Sequence, residues 1–137
     1  MEKVNWSRII LGGIAGGVAM HLVMFLFHGV ILKENYEALA SMGAVLKAPR
    51  VMGLHIAAQV LSGIPLAMLY VACRKFGGPG PMTAIRTGVL VSLVTLGGAT
   101  AMYCFYNLGG KVPAITFVSN LVGIVAATLV AGVLYKD

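Results

Sequence analysis

The chain has very little charge. Of its 137 residues only 10% are Asp, Glu, Lys or Arg, and only four of those are acidic. An ordinary water-soluble domain carries roughly a quarter charged residues. Too few ionic side chains are present to cover a water-facing surface, which excludes a soluble globular fold. None of the acidic residues falls inside a long apolar run: Glu34 and Glu37 lie between two runs, and Glu2 and Asp137 lie at the ends. The two cysteines, Cys73 and Cys104, form no CxxC and no metal-ligand spacing. There is no HExxH, no nucleophile beside a base and no carboxylate pair, so no catalytic set is legible and the chain reads as a non-enzyme.

What is present is apolar. Hydrophobic residues make up 59% of the chain, and its mean hydropathy is +0.93. Four spans, about 9–32, 51–73, 83–106 and 113–135, each approach the ~20 residues needed to cross a bilayer core. Runs this long with so little alternation predict helices rather than barrel strands. The expected fold is all-α: a single membrane domain over residues 1–137, an up-down bundle of four transmembrane helices joined by short connections. The first span is too long for a secretory h-region and lacks a small-residue cleavage site, so it reads as a retained anchor.

The net charge of +6 then belongs to helix ends near lipid headgroups, and nucleic acid is not an expected partner. Placing both termini and the middle loop on one side collects Lys3, Arg8, Arg74, Lys75, Arg86 and Lys136 there, against Lys33, Lys47, Arg50 and Lys111 on the other. This bias predicts termini in the cytoplasm, across a bacterial inner membrane. It also puts Cys73 and Cys104 at opposite faces, too far apart for a disulfide. Trp6, Tyr36, Tyr106 and Tyr135 fall where an interfacial aromatic belt would lie.

Two connections have content. In 33–50, Asn35 is a candidate cap, Tyr36, Leu39 and Met42 recur at helical spacing, and Gly43 is a candidate stop; a short helix on the outer membrane surface is expected. The middle loop, Phe76-Gly77-Gly78-Pro79-Gly80-Pro81, is a tight breaker. No strand precedes it and no GK[ST] follows, which argues against a nucleotide site.

Gly12, Gly13, Gly16 and Gly17 form two overlapping GxxxG patterns, with matching small residues at Gly123, Ala127 and Ala131 in the last span and at Gly88 and Ser92 in the third. In lipid such residues let backbones approach closely and hold helices together. Pro65 predicts a kink in the second span that frees the carbonyl of Leu61. A faint parallel between the first and third spans, each with an arginine, a glycine pair (Gly16-Gly17, Gly97-Gly98), a methionine and an aromatic, is compatible with an old duplication.

The polar groups collect in the outer half. His21 and His28 are seven residues apart, about 10.5 Å along a helix, so one ordinary metal ion cannot take both. Antiparallel pairing of the first two spans brings His28 level with His55, and His21 level with Gln59. Thr116, Asn120, Tyr103, Tyr106 and Asn107 add to the same layer. One reading makes these neutral groups interhelical hydrogen-bonding partners that set register. Three others make them a site: His28 and His55 as axial ligands of a haem, any one histidine on a chlorophyll magnesium, or a His/Tyr/Gln set on a quinone headgroup. Transport is a further alternative, through histidine proton coupling. Small four-helix multidrug exporters are similar in size, but they depend on a glutamate in the first helix, where this chain has His21 and glycines.

Four short stretches carry a resemblance: Asn5-Trp6-Ser7-Arg8, Gly29-Val30-Ile31-Leu32, Gly78-Pro79-Gly80-Pro81 with Thr83-Ala84-Ile85-Arg86-Thr87-Gly88, and Gly132-Val133-Leu134-Tyr135-Lys136. On these the chain resembles a family of small uncharacterised four-helix bacterial integral membrane proteins, over nearly its whole length. The resemblance implies a four-helix fold and no activity. Asparagine often stands at the positions of His21 and His28 in that family, which implies polar packing there rather than an essential metal ligand. The expectation for function is an accessory or scaffolding subunit of a larger membrane complex, of electron-transfer or photosynthetic type, surrounded by lipid and by other subunits. A cofactor-binding protein and a small transporter are the alternatives.

Overall fold

The structure, a computed structural model, describes residues 4–42, 49–105 and 108–135. Every regular element in it is a helix. Helix α1 (Trp6–Phe25) runs on as a π-helical stretch, Leu26–Ile31; α2 (Lys33–Ser41) follows, then α3 (Pro49–Gly77), α4 (Pro81–Phe105) and α5 (Lys111–Leu134). Four of these, α1 with its π-helical extension, α3, α4 and α5, are long and apolar enough to cross a membrane. The fold is an all-α membrane bundle with a short fifth helix in the first connection.

The helices outrun the apolar spans because their end signals are polar. α1 starts at Trp6, where the Asn5 side chain accepts from the Arg8 N–H at 3.2 Å, satisfying a donor that the first turn leaves unpaired. α4 opens on Pro81, a residue suited to the first helical position since its missing N–H is not needed there. α3 extends through Arg74 and Lys75, cations that complement the negative end of a helix. The turn between α3 and α4 needs glycine: Gly78 and Gly80 have φ of 72° and 138°, and Thr83 Oγ1 donates to the carbonyls of Gly77 and Gly78. α3 remains one helix through Pro65.

The expected cap at Asn35 is not made. α2 leaves the π-helical stretch through Leu32 alone, whose N–H donates to Phe27 O and whose carbonyl receives the Tyr36 N–H. With the chain already helical on both sides, Asn35 falls inside the first turn. Gly43 lies outside the described residues, as do Tyr106, Asn107, Lys3, Lys47 and Lys136.

α1 sits between α3 and α5, α4 packs almost wholly on α5, and α3 and α4 touch little. The four glycines of α1 divide between its two neighbours. Gly12 and Gly16 meet Ala131 and Ala127 of α5, while Gly13 and Gly17 meet Ile64, Gly63 and Val60 of α3. The descending partner numbers show both pairings to be antiparallel. On α5 the stripe continues with Gly123 against Met20 and Met24. Gly88 of α4 faces Val125 and Thr128 of α5, and Thr128 Oγ1 donates across to Ala84 O at 2.9 Å. Met20, Met24, Leu66, Ile124 and Ala127 form the central core.

Packing is not even along the bundle. At the end that carries both termini and the α3–α4 turn, hereafter the closed end, seams are continuous. Arg8 donates to Leu134 O, the Asn5 N–H to the Tyr135 hydroxyl and the Gly80 N–H to the Tyr70 hydroxyl; the Arg74 guanidinium lies 4.9 Å from the centre of the Tyr135 ring. At the other end, which carries α2, the helices part. Every residue of α3 from Met52 to Ala58 is exposed, and Gly53, Gly97 and Gly98 have no neighbour within 4 Å of where a Cβ would stand. The Gly16-Gly17 and Gly97-Gly98 pairs are thus not equivalent: the first is buried in seams, the second bare.

This contrast has a measurable consequence. Gly17→Ala forces a methyl into the Val60 carbonyl and should cost about 1–3 kcal/mol, the usual range for overpacking. Gly98→Ala should change stability by less than about 0.5 kcal/mol. Unfolding in mixed micelles measures both, and equal losses would show that the α1–α3 seam does not hold the bundle.

Candidate functional site

The polar residues of the open end separate into two groups. The first is built where three elements meet. The π-helical stretch carries His28, whose Nδ1 lies 2.8 Å from the Tyr36 hydroxyl on α2 and whose Nε2 lies 3.1 Å from Ser119 Oγ on α5. Ser119 is fully buried and donates its proton to Thr116 O at 2.9 Å. For a neutral imidazole only one proton arrangement satisfies all three bonds. Tyr36 O–H donates to Nδ1, Nε2–H donates to Ser119 Oγ, and Ser119 O–H donates to the Thr116 carbonyl. His28 and Tyr36 also stack, ring centres 6.1 Å apart. Both ring nitrogens of His28 are therefore occupied, and in this arrangement it has no lone pair to offer a metal.

The second group lies deeper. His21 Nδ1 meets Gln59 Oε1 at 2.7 Å, joining α1 to α3 one turn beyond the contact of Gly17 with Val60. The pairing at one level follows from the antiparallel seam. His55, one turn further along α3, is exposed, and no hydrogen bond joins it to His28. Structure thus brings His21 to Gln59 and His28 to Tyr36 and Ser119, and leaves His55 outside both bonded sets. Among the described residues no group of three or more His, Cys, Asp or Glu is gathered as a metal site.

The remaining polar candidates scatter. Thr116 Oγ1 and Asn35 Oδ1 are buried without a partner. Tyr103 lines an apolar groove of about 300 Å³ between α4 and α5, with Leu96, Ala99, Thr100, Pro113 and Phe117. Cys73 and Cys104 are free. Among the packing residues, Gly12, Gly13, Gly16, Gly17, Gly123 and Ala127 are all buried in seams.

Two participants escape a reading of the sequence. Ser119 looks like one more small residue of α5; only the pairing of helices discloses that it faces His28. Tyr36 has the position of an interfacial aromatic, and its eight-residue distance from His28 becomes meaningful once a single residue joins the π-helical stretch to α2. A π-helical turn shifts later side chains relative to an α-helix and often marks functional positions.

Tyr36 anchors α2 to the bundle, and its burial raises the phenol pKa above the ordinary 10.0. The folded state favours the neutral phenol, so this contribution is intact below pH 10.0 and is lost as pH rises through the raised value. Tyr36→Phe should cost about 1 kcal/mol, as interhelical bonds in membranes do, and wild type should lose its advantage over the variant at alkaline pH. Denaturant unfolding across pH tests this; a difference that stays constant would remove Tyr36–His28 as the anchor. No protein-family model, curated protein or solved structure matches this chain.

Proposed function

We propose that the protein is a non-catalytic subunit of a larger complex in a bacterial inner membrane, with transmembrane helices of partner proteins covering its open end. One observation carries this reading: the helical glycines Gly12, Gly13, Gly16, Gly17, Gly63 and Gly88 toward the closed end meet a neighbouring helix, whereas Gly53, Gly97 and Gly98 at the open end have nothing beside them. Glycine in a membrane helix favours association only where a second backbone comes close. α4 in particular is held on one side, by α5, and only 18% of its apolar window is buried. The excess of Lys and Arg toward the closed end supports a cytoplasmic position for both termini. An electron-transfer or photosynthetic assembly is the class that the membrane-embedded histidines fit. A cofactor-binding protein acting alone is the second reading, favoured by the geometry of His21.

Gentle extraction followed by native mass measurement tests the subunit reading. The chain, 14.3 kDa by itself, should migrate in a much heavier particle with other proteins. Replacing Gly97 and Gly98 by leucine should release those proteins without lowering the stability of the bundle. A wild-type chain that runs as a monomer or small homo-oligomer ends this reading.

A further inference from the structure

Toward the closed end α4 and α5 are stitched together, by Gly88 against Thr128 and by the Thr128 bond to Ala84 O. Toward the open end that contact gives way to an apolar groove of about 300 Å³. Each wall comes from one helical face. α4 supplies Leu96, Ala99 and Tyr103, and α5 supplies Gly110, Ala114 and Phe117, both at the i, i+3 or i+4, i+7 spacing of neighbours on a helix. Alanine stands midway along each wall, so no side chain fills the middle. Ala99 is buried, while Leu96 and Tyr103 beside it are 45% and 65% exposed. Thr100, also on the α4 wall, spends its proton on Leu96 O.

Length and width decide what suits this groove. From Gly110 to Phe117 it runs about 10 Å along α5, most of the ~15 Å that one leaflet contributes to a hydrocarbon core. Spread over that length, about 300 Å³ leaves a slot roughly 5–6 Å across, against ~10–12 Å for a helix with its side chains. A transmembrane helix does not enter it; one extended hydrocarbon chain does. The mouth lies at the membrane boundary, between the end of α4 at Phe105 and the start of α5 at Lys111. Lys111 is exposed there, next to Gly110 and one turn before Ala114. Its charge is uncompensated, since among the described residues the one ion pair joins Lys33 to Glu37. The Tyr103 ring lies 4.0 Å from where a Cβ on Gly110 would stand, which brings a phenol to the same mouth. We propose that the α4–α5 groove holds one acyl chain of an anionic phospholipid from the leaflet at the open end, with Lys111 on its phosphate headgroup. The apolar slot takes the chain, and the lysine selects the charge. Gly98, two residues from both Leu96 and Thr100, faces away round α4. The lipid site is thus separate from the glycine surface assigned to partner helices and stands without the subunit reading.

The delipidated full chain, reconstituted in nanodiscs of equimolar phosphatidylglycerol and phosphatidylcholine and weighed by native mass spectrometry, tests this. One lipid should stay on each chain, with phosphatidylglycerol preferred by about fivefold, the preference that one cation near a membrane surface gives an anionic lipid. Lys111→Gln should retain a lipid but bring the two headgroups to parity. Ala114→Trp, which fills the slot from an exposed position, should lose the retained lipid. No retained lipid, equal retention of both headgroups by wild type, or retention that survives Ala114→Trp overturns the proposal. Should Ala114→Trp fail to fold by circular dichroism, an unchanged headgroup preference in Lys111→Gln overturns it equally. A photoreactive Ala114→benzoylphenylalanine chain, irradiated in native membranes, should cross-link to phospholipid. A cross-link to a second polypeptide instead makes a partner's side chain the occupant and ends the lipid assignment.

Discussion

Two peptide backbones reach van der Waals contact only where no Cβ stands between them, and α1 meets that condition on two faces at once. Gly12 and Gly16 admit α5, and Gly13 and Gly17 admit α3. Apolar burial cannot drive this association in lipid, where the tails are as apolar as leucine; close packing and polar bonds take its place. The two glycine pairs make α1 the axis on which the other helices are hung. They also fix the antiparallel registers that place His21 beside Gln59 and Ser119 beside His28.

Moving outward from those glycines, the two ends behave differently. Hydroxyls buried toward the closed end need no partner helix: Thr87 and Ser92 donate to carbonyls of their own helix four residues back, and Thr128 adds a bond to α4. The Asn5, Arg8, Tyr70, Arg74, Gly80, Leu134 and Tyr135 contacts tie termini and turn into one unit. At the open end the ties are fewer and longer-armed. His28 reaches to α2 and α5, His21 reaches to α3, and beyond Gln59 α3 stands alone. A bundle packed at one end and parted at the other leaves room in the membrane for a partner helix beside α3 and α4.

The short stretches Asn5–Arg8, Gly78–Pro81 and Gly132–Tyr135, with Thr83, lie at the closed end. Asn5 caps α1, Arg8 bonds the Leu134 carbonyl at the end of α5, Gly78 and Gly80 take the turn conformations, Thr83 closes α3, and Tyr135 stacks on Arg74. Each has a structural task.

Much of the architecture was legible from composition and period. Four long apolar spans admit only helices in lipid, short connections make neighbours antiparallel, and the spacing of Gly12, Gly13, Gly16 and Gly17 names seams before any coordinates exist. Levelling His21 with Gln59 followed from counting turns from the connection. Asn35 was misread, because a capping residue in sequence does not announce that the preceding chain is already helical. Which nitrogen of which histidine is occupied was beyond sequence altogether. That depends on Ser119 and Tyr36 arriving from α5 and α2, and on a π-helical turn that re-aims His28. The sequence by itself determined that this protein is a membrane bundle and which small residues were candidates for its seams. The tertiary structure decided that His28 is fully bonded, that His21 meets Gln59, and that one end stands open, since each depends on side chains from separate helices meeting within 3 Å or so, or failing to meet.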